Sequence, residues 1–295
     1  MRTLLRLYVI ALPGLLMGGG LEAGLRYLEQ EVPLWHRENH CHSCHNNGDA
    51  ARALLMAHRA GNHVEVGALR DTLEWLGQPE RWDESPGQPA FSDKRLARIQ
   101  FGVALVEAGR ARLIEGGARL ARAAALVASD QNGAGGWMVD PDSSSGSPVT
   151  YGPVLATHLA RQVLLAAGRE KEAARAEAWL RGRPANNVVD AAAKVLALGD
   201  AAALQVIERE QAANGSWTSE AFDTALALLA LQGHRGRPGV PERIRRGRAY
   251  LMETQLSAGG WVGTTRPAGA ASYAQHISTC GWAVMALVAT EPPLR

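Results

Sequence analysis

Beyond residue 20 the chain alternates between two kinds of hydrophobic pattern. Segments over 65–77, 111–129, 169–183 and 241–254 mix charge with one apolar stripe at helical spacing, as expected of helices with one wet face. Between them lie 50–60, 96–108, 154–167, 188–198, 221–231 and 278–290, apolar on nearly every side and so expected to be buried all round. Pairing each amphipathic segment with the buried one that follows predicts six helical hairpins, beginning near residues 20, 65, 111, 169, 200 and 239. Six wet helices around six dry ones make a closed double ring: an all-α, α6/α6 toroid that occupies 20–295 as one domain.

Composition agrees with this pattern. Hydrophobic residues at 46% supply a sizeable core, and charged residues at only 20% argue against wholesale disorder. Ala, Leu, Arg and Glu dominate, which are good helix formers. The net charge is +2 and the arginines are dispersed among glutamates, which is the look of a solvated face and does not indicate a nucleic-acid partner. At the start, a basic Met1-Arg-Thr-Leu-Leu-Arg6 precedes a short apolar run that ends in Gly18-Gly-Gly20. That layout predicts a signal peptide or N-terminal anchor over 1–19, hence an exported, periplasmic or tethered protein, on a run too short to span a bilayer.

One turn recurs. Gln131-Asn-Gly-Ala-Gly-Gly-Trp137, Gln211-Ala-Ala-Asn-Gly-Ser-Trp217 and Gln255-Leu-Ser-Ala-Gly259-Gly-Trp261 keep the same Gln-to-Trp spacing, and Arg246, Gly247, Tyr250 and Leu251 precede the last copy. These turns resemble the QW repeats of the squalene-hopene cyclase, oxidosqualene cyclase and protein prenyltransferase superfamily. Ser278-Thr-Cys-Gly-Trp-Ala-Val-Met-Ala-Leu287 and Asp223-Thr-Ala-Leu-Ala-Leu-Leu-Ala-Leu231 are similar to its inner helices. The resemblance covers most of the chain from about residue 110 and implies the α/α toroid, with the Gln, Gly and Trp residues as structural clasps. It does not bring the family's catalysis with it. Asp140-Pro-Asp142-Ser lacks the last aspartate of the cyclases' Asp-x-Asp-Asp, and Asp223-Thr-Ala225 has alanine where prenyltransferases hold a zinc cysteine.

The densest chemistry is His40-Cys41-His42-Ser43-Cys44-His45. Cys-x-x-Cys-His is the attachment sequence of c-type haem, with Cys41 and Cys44 as thioether positions and His45 as axial ligand. His58, or Met56 beside it, is the candidate for a sixth ligand. Zinc held by Cys41, Cys44 and His45 is the alternative metal, and a Cys41–Cys44 disulfide or a plain structural turn is the other reading. The cluster falls in the outer-to-inner connection of the first hairpin, at the same end of the ring as the Gln-Gly-Trp turns. Tyr151, Asp190, Asp223 and His276 stand near the starts of inner helices, so they are expected to converge on that rim. Singly they would be ordinary helix caps; as a group, Asp223, His276 and Asp190 are the candidate acids and bases.

Three functions follow. The first is an exported toroid with a haem or metal site at its mouth, in a redox or ligand-binding role with a redox partner. The second is a divergent isoprenoid or lipid-handling enzyme that uses an apolar funnel for a small apolar ligand. The third is a non-catalytic binding scaffold. Fold alone does not choose among them.

Overall fold

The computed structural model describes residues 20–84, 93–139, 147–264 and 272–292. The leader-like stretch over 1–19 and the Asp140-Pro-Asp142 segment lie outside the described residues.

Twelve α-helices follow one another among the described residues, with no β-strand. The outer helices are α1 (Leu21–Asn39), α3 (Arg70–Leu76), α5 (Gly117–Ser129), α7 (Glu170–Arg181), α9 (Ala201–Glu210) and α11 (Val240–Glu253). The inner ones are α2 (Ala51–Arg59), α4 (Lys94–Arg110), α6 (Ser147–Ala166), α8 (Val188–Leu198), α10 (Ala221–Gln232) and α12 (Tyr273–Ala289). Each inner helix packs on the next, α2 on α4 through to α10 on α12, and α12 returns to α2. The ring is therefore closed, as the alternation of patterns predicts.

The sequence explains which helix goes where. In α10 every residue from Ala221 to Leu228 is buried, whereas α7 buries only Ala173, Ala176, Trp179 and Leu180 along one stripe. Caps fix several starts: Asp93 accepts from the Arg95 and Leu96 amides at 2.8 and 3.1 Å, and Asp200 does the same for α9. The predicted second outer helix is shorter than its pattern, because a 3-10 turn at Val66–Leu69 precedes the seven residues of α3.

The first inner element differs from the prediction. A π-helix at Cys44–Ala50 runs directly into α2, so Cys44 and His45 belong to the inner layer and only Cys41 lies in the connection. Ser43 opens this turn: its Oγ accepts from the His45 amide at 3.2 Å, and its own amide donates to Asn47 Oδ1 at 2.9 Å. The wide turn is wedged between α4 and α12, where glycines make room. A Cβ on Gly281 would stand 2.9 Å from the Asp49 carbonyl oxygen, and one on Gly48 would stand 2.9 Å from Gln100. π-turns inside helices often mark functional positions.

Candidate functional site

All outer-to-inner connections meet at one end of the ring, here called the mouth. Three of them are the Gln-Gly-Trp turns, which share one set of hydrogen bonds. Gln131 Nε2 donates to the carbonyls of Gly135 and Glu172, both at 2.9 Å. Gln211 does so to Gly215 and Arg243, at 2.9 and 3.0 Å. Gln255 does so to Gly259 and Gly20, at 2.8 and 3.0 Å. Trp137, Trp217 and Trp261 each donate Nε1 to the carbonyl ten residues back, on Val127, Ile207 and Leu251. Each turn thus ties its own outer helix to the next one. Each glutamine Nε2 bridges a carbonyl of its own turn and one at the start of the next outer helix, and Gln255 Oε1 also accepts from the free Gly20 amide at the start of α1.

Between the starts of α6, α8 and α10 the mouth opens into a cavity of about 570 Å³, whose walls include Tyr151, Trp179, Val189, Asp190, Thr218 and Asp223. Tyr151, Asp190 and Asp223 therefore converge as expected. Asp190 takes part in the cap of α8, with its amide donating to Asn187 Oδ1 at 2.8 Å and Asn187 Nδ2 donating to its Oδ2 at 3.2 Å. Asp223, 2% exposed, accepts from Thr218 Oγ1 at 2.8 Å. His276 does not join them. Its Nε2 faces the Tyr27 hydroxyl of α1 at 2.8 Å, because it lies on the side of α12 that packs against the outer layer.

Among the described residues the cavity is floored by aromatic rings. Beneath it the rings of Tyr151, Phe222 and Trp282 pack mutually with centroids 5.8 to 6.1 Å apart, and all three are buried. At this level sits Asp49, a residue the sequence pattern does not single out. Its Oδ2 accepts from Tyr151 Oη at 2.5 Å, Ser278 Oγ at 2.6 Å and Gln100 Nε2 at 2.7 Å. Trp282 Nε1 in turn donates to Tyr151 Oη at 2.8 Å. The carboxyl thus joins the first inner element to α4, α6 and α12, while its Oδ1 is buried with no hydrogen-bond partner. Burial, opposed by the three donors, pushes its pKa up to about 6. The polar run Asn46-Asn47-Gly48-Asp49 inside an otherwise apolar inner layer was the available signal.

The Cys-His cluster is divided by its surroundings. Cys41 Sγ accepts from Trp35 Nε1 at 3.3 Å, while the Cys44 thiol lies in a cluster with Trp75, Trp82 and Phe101, and burial pushes its pKa up. Neither cysteine is in a disulfide. His45 points inward, with Nε2 against Cys44 Sγ at 3.5 Å and Nδ1 against Ser278 Oγ at 3.2 Å, and burial holds its pKa down near 4. With both ring nitrogens engaged inside the inner layer, His45 has none to offer an iron, so the residues as arranged do not fit haem. His58 is no partner for it. Thirteen residues of continuous helix separate the two, about 20 Å at 1.5 Å per residue; Met56 fails on the same ground. No group of three or more His, Cys, Asp or Glu suited to a metal ion occurs among the described residues.

Outside the cluster's core, His36, His42 and Trp75 stack as a column, with ring centroids 4.2 and 4.4 Å apart. Burial, followed by His36 and Arg81, holds the His42 pKa down near 4.

No protein-family model matches this chain, and no curated protein matches it by sequence. Solved structures do. The fold is similar to that of a type II terpene cyclase from Scytonema in complex with geranylgeranyl dihydroxybenzoate, at 16% identity over 92% of this chain and 98% of that one, with a TM-score of 0.60. A protein from Actinoplanes is similar at 16% identity over the same shares, with a TM-score of 0.63. The apo form of the Scytonema enzyme gives a TM-score of 0.56 at 16% identity, over 91% of this chain and 98% of that one. The terpene-cyclase-like α/α toroid is thereby shown at the level of fold. No helix among the described residues is long and apolar enough to cross a membrane.

Proposed function

We propose that this chain is a divergent isoprenoid-handling enzyme that transfers a proton to or from a small, largely apolar molecule bound in the mouth cavity. Asp49 and Tyr151 would carry the proton, in place of the Asp223 and His276 pair. The observation that carries the reading is the buried carboxyl of Asp49, hydrogen-bonded at 2.5 Å to a tyrosine that forms part of the cavity wall.

A carboxyl with a pKa near 6 has both protonation states populated around neutrality, the condition for useful acid–base work. With Asp49 ionised, Tyr151 passes its phenolic proton to Asp49 Oδ2 as Tyr151 Oη takes a proton from the bound molecule. With Asp49 protonated, the same pair runs in reverse. Trp282 Nε1 and Gln100 Nε2 at 2.8 and 3.4 Å from Tyr151 Oη would steady the charge that develops on that oxygen. Trp179, Val154 and Val189 supply apolar wall for the ligand's hydrocarbon, and the similar Scytonema structure holds a geranylgeranyl compound. Export through residues 1–19 belongs to this proposal on its sequence support alone. Haem attachment is the weaker reading, because it needs His45 to leave Ser278 and Cys44.

The test is incubation with geranylgeranyl dihydroxybenzoate and with farnesol, followed by mass spectrometry of the products. Conversion of either, lowered at least ~100-fold in Asp49→Asn and Tyr151→Phe, is the expected result. Neither probe bound nor converted, or full activity in Asp49→Asn, sinks the reading.

A further inference from the structure

One helical turn deeper than Asp49, the ring interior holds a second polar layer that the proton-transfer reading leaves unused. Arg52 of α2 lies over the Trp282 ring, 5.3 Å from its centroid, and its electrostatic neighbours include Glu107 of α4 and Tyr151 and His158 of α6. Its Nη1 is buried with no partner, and no hydrogen bond or ion pair to Arg52 occurs among the described residues. Of the two nearby carboxylates, Glu107 pairs with Arg59 at 2.5 Å and Arg110 at 3.3 Å, and Asp49 is held by Tyr151, Ser278 and Gln100.

His158, 3% exposed, has the same deficit. Gln162 Nε2 stands 3.0 Å from His158 Nε2. With the amide donating, Nε2 is the acceptor and the ring proton resides on Nδ1. That Nδ1 is buried and unpartnered. Two donor atoms, one of them on a charged guanidinium, thus have no protein partner in the same layer of the ring. An unpaired buried donor is costly and an unpaired charge more so, so the native protein is expected to meet them with something. Water answers a dipole but does not balance a guanidinium; an anionic oxygen does both.

Space adjoins this layer. Arg52, Met56 and Arg59 follow at i, i+4 and i+7 on one stripe of α2. Exposure rises along it, from half-buried at Arg52 and Met56 to exposed at Arg59. Arg52 is surrounded by protein yet keeps accessible surface, so it borders a solvent-sized space.

We propose that Arg52 and His158 form an anion-binding site inside the ring that takes the carboxylate or phosphate group of a small ligand. Arg52 and Asp49 feel each other's charge, yet anion binding at Arg52 does not require proton transfer at Asp49.

Isothermal titration of the full chain with inorganic pyrophosphate and, separately, with benzoate tests it. The expected result is saturable one-to-one binding of at least one probe, weakened at least ~10-fold by Arg52→Gln and largely restored by Arg52→Lys, since one lost charged hydrogen bond amounts to about that factor. Pyrophosphate alone binding identifies a phosphate site, and benzoate alone a carboxylate site. No saturable heat with either probe, or equal affinity in Arg52→Gln, overturns the proposal; the second outcome would place the anion on surface arginines. If Arg52→Gln does not fold by its melting curve, His158→Phe decides, and unchanged affinity there overturns it as well.

Discussion

Gln255 Nε2 donates to the carbonyl oxygen of Gly20 at 3.0 Å, across 235 residues of sequence. The last of the three Gln-Gly-Trp turns therefore fastens α11 to the start of α1 and closes the outer layer. Gly259 completes the contact with φ of 98°, and a Cβ there would sit 2.3 Å from the Ala23 carbonyl oxygen. Gln255→Ala removes the two hydrogen bonds that Nε2 donates and the one that Oε1 accepts from the Gly20 amide, an expected loss of about 2–3 kcal/mol. Gly259→Ala is expected to cost more, since it adds a positive-φ strain to a backbone collision. Denaturant unfolding of the two variants checks both the size and the order.

Cys280 occupies the place of a threonine. The Trp137 and Trp217 amides donate to Thr157 Oγ1 and Thr224 Oγ1, both at 3.0 Å, whereas the Trp261 amide donates to Cys280 Sγ at 3.1 Å. Burial raises this thiol to about 12, so it serves as a packing and acceptor group rather than a nucleophile. Cys280→Thr is expected to melt within ~3 °C of the parent and Cys280→Ala well below it, by roughly 1 kcal/mol for the lost acceptor. Melting temperatures that place Ala above Thr would refute this equivalence.

The fold was legible because burial writes itself into the sequence twice, as all-round apolar helices such as 221–231 and as repeated turns with fixed spacing. The candidate site was half legible. Tyr151 and Asp223 could be placed at the mouth from the helix starts, since rim position follows from topology. His276 could not be excluded, because which side of a buried helix faces inward depends on packing against α1 and not on periodicity. Asp49 was hidden for a different reason: it precedes an apolar run, the usual place of a cap, and a π-turn carries it into the ring. The Cys-x-x-Cys-His spacing drew attention to chemistry a few residues early, since His45 faces the same Ser278 that donates to Asp49.

Asp49 gives stability a defined pH dependence. Its pKa is 3.8 ordinarily and about 6 in the fold, so between those values the folded chain holds a proton that the unfolded chain has released. The contribution is fully present below pH 3.8 and is lost as pH rises through 6, amounting to about 3 kcal/mol across that window. His45, held down near 4, acts with the opposite sign and loses stability as pH falls from 6.5 toward 4. The difference between parent and Asp49→Asn isolates the first effect. Relative to the variant, the parent is expected to lose stability from pH 4 to pH 7; a flat difference would mean that Asp49 titrates normally.

The absorption spectrum tests the division of the Cys-His cluster. Thioether attachment at Cys41 and Cys44 would require the Cys44 thiol to leave its contacts with Trp75, Trp82 and Phe101. It would also require His45 to turn away from Ser278 and Cys44. The vacated Ser278 hydroxyl would then lose one partner beside Asp49, in the most tightly bonded layer of the ring. Expressed with the cytochrome c maturation machinery, the purified chain is therefore expected to show no Soret band, and the denatured band no haem stain. His45→Gln, which keeps a polar group beside Ser278, is expected to leave that spectrum unchanged and to lower the pH slope of stability between 4 and 6.5. A Soret band that disappears in His45→Gln would instead establish that this histidine swings out to hold an iron, and would move the functional centre from Asp49 to the cluster.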